Sequence, residues 1–180
     1  MTITITYFVH GTTLDNEQGI STGQGQGKLS PLGIQQSKEL HQFLQSKKRK
    51  YDIIFCSDLT RAIESARIMF PDQEIIQDKR LREGHYGKLN GAKEDKVVYE
   101  DHINKPFPMG ESLVDVEKRI KSFLTFLKEK YNHKNIAIVA HKAPQLALDV
   151  LLKGKNWKEA LHEDWRKTKG WKPGWEYVLE

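Results

Sequence analysis

The chain has 180 residues, with 29 lysines and arginines against 24 aspartates and glutamates, a formal net charge of +5 and a pI near 9.1. That length suits one compact domain over residues 1–180, able to bury a core without disulfides or metals, and the single cysteine, Cys56, excludes an internal disulfide or a cysteine-rich zinc site. No stretch approaches the roughly 20 apolar residues of a membrane span, and Thr2-Ile3-Thr4-Ile5-Thr6 lacks the basic and apolar regions of a signal peptide, so a cytoplasmic location is expected.

In chain order, Ile3, Ile5 and Tyr7 alternate with threonines and lead into Phe8 and Val9, the pattern of a strand. Residues 11–29 carry Gly11, Gly19, Gly23, Gly25 and Gly27 and read as a long loop. Ser30-Pro31 supplies an N-cap and a proline at the first helical position, and Ile34, Ser37, Leu40 and Leu44 continue at helical spacing. The basic run Lys47-Lys48-Arg49-Lys50 falls at the end of that helix. Without interleaved aromatics it reads as a solvated end that complements the helix dipole, not as a nucleic-acid site.

Ile53-Ile54-Phe55-Cys56 reads as a buried strand with a packed core thiol. Ser57 or Asp58 then caps a helix carrying Leu59, Ala62, Ala66 and Met69, and Ile75-Ile76 is a weaker strand. Residues 84–110 are irregular. Ser112 caps a long amphipathic helix through Leu113, Val116, Ile120, Leu124, Leu127 and Tyr131. Ile136-Ala137-Ile138-Val139-Ala140 is the clearest buried strand, and a helix follows from about Pro144 to Leu152. The tail carries Trp157, Trp165, Trp171 and Trp175 and ends in a strand from Trp175 to Leu179, with Trp171-Lys172-Pro173-Gly174-Trp175 as the turn into it. Its tryptophans read as packing, with a stacking platform for a base or sugar as the alternative. Buried strands alternating with helices imply an α/β fold: a three-layer sandwich with a mostly parallel central sheet and helices on both faces.

In such sheets ligands sit beyond the carboxyl ends of the strands. His10 follows the first strand, Arg61 lies just after the second, His141 follows the clearest one, and Glu83 lies between them. Each alone reads as an ordinary structural or surface residue, but together they suit phosphoryl transfer. A neutral imidazole can attack phosphorus, Arg61 at a helix start and His141 can meet the phosphoryl oxygens, and Glu83 can protonate the leaving oxygen. No metal or other cofactor is called for. The positive charge suits a small phosphorylated substrate better than nucleic acid or a membrane.

The order of motifs resembles the histidine phosphatase superfamily, the phosphoglycerate-mutase-like group, over about Thr4 to Leu152. The motifs are Val9-His10-Gly11, Asn16, Thr22-Gly23, Leu29-Ser30-Pro31-Leu32-Gly33, Ser57-Asp58-Leu59-Thr60-Arg61-Ala62, Leu81-Arg82-Glu83 with Gly87 and Gly91, Gly110-Glu111-Ser112, and Val139-Ala140-His141. The resemblance implies that His10 is the phosphorylated nucleophile, that Arg61 and His141 hold the phosphoryl oxygens, and that Glu83 is the proton donor and later the base. It implies a substrate pocket lined by Gly11, Asn16, Thr22 and Gly23, and a structural role for Glu111-Ser112; Thr12, next after Gly11, is a further substrate-binding candidate. The tail lies outside the resemblance and is given no catalytic role.

Two departures shape the expected function. Val9 stands where the family has an arginine, so either activity is weakened or another cation serves. Lys142, where the family usually has glycine, is the first candidate, ahead of Lys28 and Arg82. The second departure is the short lid at about 84–110. His85-Tyr86-Gly87 and Thr22-Gly23 look mutase-like. However, Gly84 stands where mutases usually carry an arginine, and Gly91 to Gly110 is short beside their insertion. A short, open lid favours hydrolysis over transfer. The expected activity is a metal-independent phosphatase, with a catalytically degenerate domain that binds a phosphorylated ligand or a partner protein, and a phosphoglycerate mutase, as alternatives.

Overall fold

The computed structural model describes residues 2–168 and 174–180. Its elements are β1 (Ile3–Val9), α1 (Leu14–Glu17), β2 (Ile20–Ser21), α2 (Pro31–Ser46), β3 (Ile53–Cys56), α3 (Thr60–Met69), β4 (Ile75–Gln77), β5 (Ala92–Lys93), α4 (Leu113–Lys130), β6 (Asn135–Ala140), α5 (Lys142–Lys153), α6 (Trp157–His162) and β7 (Trp175–Leu179). Five strands form the central sheet in the order β4-β3-β6-β1-β7. All neighbours run parallel except β7, which pairs antiparallel with β1 and places Tyr7 opposite Trp175. The expected α/β sandwich is the one observed.

Strand alternation explains the two outer layers. Ile3, Ile5, Tyr7, Ile136, Ile138 and Ala140 face one way and pack with α4, α5 and α6. Phe8, Ile54, Cys56, Ala137 and Val139 face the other way, against Leu40 and Leu44 of α2 and Ala66 and Met69 of α3. Burial pushes the Cys56 thiol up to about 12, so it is an inert core thiol.

Most expected ends hold. Ser30 accepts from Gly33 N with Pro31 at the first turn of α2, and Ser112 and Asp115 form a reciprocal capping box on α4. The cap of α3 is different. Its N-cap is Leu59, with no side-chain cap of its own. Asp58 is drawn away by two hydrogen bonds from Arg82, at 2.8 and 2.7 Å, and that guanidinium holds its carboxyl below the usual range. Gln26, from the glycine-rich loop, accepts from Thr60 N instead. The run at 47–50 is exposed beyond α2, with Arg49 paired to Glu176. The expected turn at Trp171-Lys172-Pro173 lies outside the described residues.

Two segments read as loops carry structure. Residues 11–29 contain α1 and β2, and β2 pairs antiparallel with β5 from the 84–110 segment. The rest of that segment is a series of short 3-10 turns over a small core of Tyr86, Val97 and Phe107. The chain leaving β1 packs backbone to backbone on the first turn of α2. A Cβ on Gly33 would stand 1.9 Å from Thr12 O, and one on Gly11 would stand 2.4 Å from Gly33 O. Gly33→Ala, which would stabilise a free helix by about 1 kcal/mol, is therefore expected to destabilise this protein by about 1–3 kcal/mol through overpacking. The urea midpoint checks it, and a gain in stability would contradict the packing.

Candidate active site

The carboxyl ends of β3, β6 and β1 are neighbours, so the residues following them meet at one edge of the sheet. His10, Gly11, Thr12, Asn16, Thr22, Gly23, Arg61, Glu83 and Lys142 all line one cavity of about 520 Å³ there. That is the size of a small-molecule site. His141 sits directly beneath, its ring 5.1 Å from that of His10 and edge-on to it.

Hydrogen bonding decides the state of His10. Its Nδ1 lies 2.7 Å from Gly11 O. A carbonyl only accepts, so the proton is on Nδ1 and the lone pair on Nε2. Arg61 Nε donates to that Nε2 at 3.2 Å. Burial, then the Arg61 charge, pushes the pKa of His10 down to about 3, so the ring is neutral at neutral pH. Arg61 itself is 2% exposed, and its terminal nitrogens donate to Gly25 O at 2.9 Å and Gly23 O at 2.7 Å. The glycine-rich loop thus supplies the acceptors that a buried guanidinium needs. Gly23 sits at φ +58°, where a side chain would collide with Asn90 and Tyr86.

His141 is fully buried, and among the described residues neither ring nitrogen has a hydrogen-bond partner. Its backbone is held by Tyr7. The phenol donates to His141 O at 2.7 Å and accepts from His141 N at 2.9 Å. Burial, then Arg61 and His10, holds the imidazole well below its usual pKa.

Glu83 spans the gap between segments. Its carboxylate accepts from Gly84 N at 3.0 Å, Lys142 N at 3.2 Å and Ala143 N at 2.9 Å. It therefore caps the N-terminus of α5, where the helix dipole favours an anion. Behind it, Arg119 donates to Glu83 O at 2.9 Å and pairs with Glu111 at 2.9 Å. Glu111 thus has the structural role expected of it, through a partner that sequence reading missed. Arg119 stands two helical turns along α4 from the capping motif, and that spacing was its only signal.

The supporting contacts of the other candidates are local. Gly11 N donates to Ser65 Oγ at 2.9 Å, and Thr12 donates twice to Gln36 Oε1. Asn16 closes a capping box with Thr13, and Thr22 Oγ1 donates to Asp15 at 2.7 Å. Of the candidate cations, Lys28 is exposed and Arg82 is committed to Asp58. Lys142 reaches the cavity, but its ammonium lies 2.8 Å from Asp164 and 4.4 Å from the Tyr99 ring centre. In the tail, Trp175 packs in the core and Trp165 against it, as expected, and with Arg166 they also line this same cavity. Trp157 is a core residue whose indole donates to Glu117 at 2.8 Å.

Two neutral imidazoles, a buried guanidinium and a helix-capping carboxylate thus meet at one sheet edge of an α/β protein. The chain belongs to the histidine phosphatase superfamily (branch 1), whose pattern matches residues 7–169. The match runs past Leu152 and takes in Trp165 and Arg166 of the cavity wall. The chain is 34% identical over 159 residues to "Putative phosphoserine phosphatase 2" of Hydrogenobacter thermophilus, covering 81% of this chain and 76% of that one. It is 28% identical over 165 residues to a 2,3-bisphosphoglycerate-dependent phosphoglycerate mutase of Tropheryma whipplei, covering 73% and 75%. Among solved structures it is similar to a mycobacterial glucosyl-3-phosphoglycerate phosphatase in complex with VO3, with a TM-score of 0.77, 27% identity and coverage of 88% and 86%.

The buried histidines couple stability to pH. An imidazole whose folded pKa lies below 6.5 takes up its proton more readily in the unfolded chain. Its contribution is therefore complete above pH 6.5 and is lost as the pH falls toward the folded pKa. Stability measured in urea should fall from pH 6.5 toward pH 4. His141→Asn should flatten that slope, by at most about 1.4 kcal/mol per pH unit. Identical slopes in the two proteins would contradict a neutral buried His141.

Proposed function

We propose that the chain, acting as one domain over residues 1–180 with 84–110 as its lid, hydrolyses a small phosphomonoester through a phosphohistidine at His10, without a metal. The observation that carries this reading is the state of His10: neutral, with Nδ1–H tied to Gly11 O and the Nε2 lone pair beside Arg61.

In the first step Nε2 forms a bond to phosphorus while the ester P–O bond breaks, and the leaving oxygen takes a proton that the Glu83 carboxyl has taken up with the incoming substrate. Once Nε2 bonds phosphorus it has no lone pair to offer. Arg61 Nε–H is then released to a phosphoryl oxygen, where its charge stabilises the transferring group together with a His141 N–H. In the second step water attacks phosphorus, the Glu83 carboxylate takes its proton, the P–Nε2 bond breaks and inorganic phosphate leaves. Gly11, Thr12, Asn16, Thr22, Gly23 and Lys142 contact the substrate around this centre.

A second reading, a domain that binds a phosphorylated ligand without turning it over, is favoured by the apolar Val9 on the cavity wall. A panel of phosphomonoesters, including phosphoserine and 3-phosphoglycerate, separates the two. Wild type is expected to release phosphate, to be inhibited by vanadate and to carry an acid-labile, base-stable phosphoryl label, all absent in His10→Ala. Equal inactivity of both proteins over the panel would establish the binding reading, and formation of 2-phosphoglycerate would establish a mutase.

Glu83 is tested through the leaving group. Glu83→Gln should lower turnover of alkyl phosphates by about 10²–10⁴-fold. With p-nitrophenyl phosphate, whose leaving group needs no proton, it should cost far less. Equal losses on both substrates would remove Glu83 from the acid role.

A further inference from the structure

Among the described residues the cavity wall carries three cations, Arg61, Lys142 and Arg166, and their donors are not equally committed. Arg61 serves His10, Gly23 O and Gly25 O. The Lys142 ammonium lies between Asp164 and the face of Tyr99. Arg166 is joined to Asp164 through Nη1 at 2.7 Å and through its backbone N at 3.2 Å. Its second terminal nitrogen, Nη2, is buried and meets no acceptor among the described residues. A buried charged donor left unmet is costly, and such groups mark sites where an outside partner completes the bonding.

The place of Arg166 matters as much as its open donor. The guanidinium lies 4.9 Å from the Trp165 ring centre, and the Trp165 and Trp175 rings are 5.7 Å apart. Trp175 stands opposite Tyr7 in the β1–β7 ladder. Tyr7 and Val9 lie on the same sheet face, two residues apart. This series of contacts brings the guanidinium in over the β1–β7 side of the cavity, the side on which Val9 is apolar. The field of Arg166 also reaches His10, where it is one of the influences that lower the pKa of the ring.

We propose that Arg166 is a ligand of the phosphoryl oxygens, so that the C-terminal tail supplies the guanidinium that the end of β1 lacks. Nη1 stays on Asp164, and Nη2 points to a tetrahedral oxyanion bound next to His10. Lys142 lies on the other side of Asp164, where it contacts the rest of the substrate and its charge reaches the phosphoryl group at longer range. The catalytic part of this assignment rests on the phosphohistidine reading, while the anion-binding part stands apart from it.

The experiment measures inorganic vanadate affinity and p-nitrophenyl phosphate kcat/KM in wild type, Arg166→Gln, Arg166→Lys and Arg166→Gln with Val9→Arg. Arg166→Gln is expected to lower both quantities by about 10²-fold. Arg166→Lys, which keeps the charge on Asp164 but loses the fork, should fall between. Val9→Arg should restore at least about tenfold of the loss, on the same scale. A wild type that turns over substrate while Arg166→Gln stays within twofold overturns the assignment and leaves the phosphatase reading intact. A wild type without turnover whose vanadate affinity still falls in Arg166→Gln overturns the phosphatase reading and supports the assignment. If thermal melting shows Arg166→Gln unfolded, Arg166→Lys decides, and wild-type vanadate affinity in that variant overturns the proposal. Absence of recovery with Val9→Arg in a folded Arg166→Gln protein overturns the claim that both positions serve the same oxygens.

Discussion

The site is organised by one demand: a guanidinium buried at Arg61 must have acceptors for its N–H groups. A charged group removed from water is tolerated only when paired or fully hydrogen-bonded. Helix α3 carries Arg61 to the cavity, with no carboxylate among its hydrogen-bond partners in the described residues. Instead, two loop carbonyls and one imidazole nitrogen meet it. This explains why the long loop after β1 is ordered at all. Gly23 must take a left-handed conformation to present its carbonyl, and Gln26 three residues on caps the same helix. The loop, the nucleophile candidate and α3 are thereby held by one side chain.

Two further ties set the opposite wall. Tyr7 exchanges hydrogen bonds with the backbone of His141, locking β1 to the turn between β6 and α5. Glu83 meets the first amides of α5, so the carboxylate and the helix that follows His141 share one geometry. Arg119 and Glu111 hold the backbone behind Glu83. The imidazoles and the carboxylate are thus placed by backbone contacts from β1, β6 and α5. Such positioning is stiff, because each side chain in it is fixed on backbone groups of the sheet, of a helix end or of the segment carrying Glu83.

The strands and the ends that carry His10, Arg61 and His141 were legible in the sequence, because buried strands leave short apolar runs with an obvious last residue. The parallel order and the two helical layers follow from the same runs. What could not be read was partner choice among charges. Asp58 has the right place to cap α3, yet Arg82, 24 positions away, takes it. Nothing local distinguishes a carboxylate that caps from one that is paired across the fold. The tail is the larger case. Trp165 and Arg166 reach the cavity because β7 joins the sheet beside β1, and that antiparallel pairing depends on contacts more than 160 positions apart in the chain. A resemblance that ended at Leu152 carried no information about it.

The resting charge balance of the cavity follows from these partners. Both central imidazoles are neutral, Arg61 rests on carbonyls, and Asp164 takes up charge from Lys142 and Arg166. Glu83 is spent on backbone amides. The partners that hold these cations, neutral carbonyls and one shared carboxylate, are weaker than a phosphate dianion. In the proposed reaction a ligand must outbid neutral carbonyls for Arg61 and supply what Arg166 Nη2 lacks. A monoester dianion can do both, since it offers three charged oxygens at one centre. A diester monoanion offers fewer free oxygens and half the charge, and a carboxylate offers only two oxygens in a plane. Selectivity for monoesters would then come less from the shape of the cavity than from the strength of the contacts an entering anion has to replace.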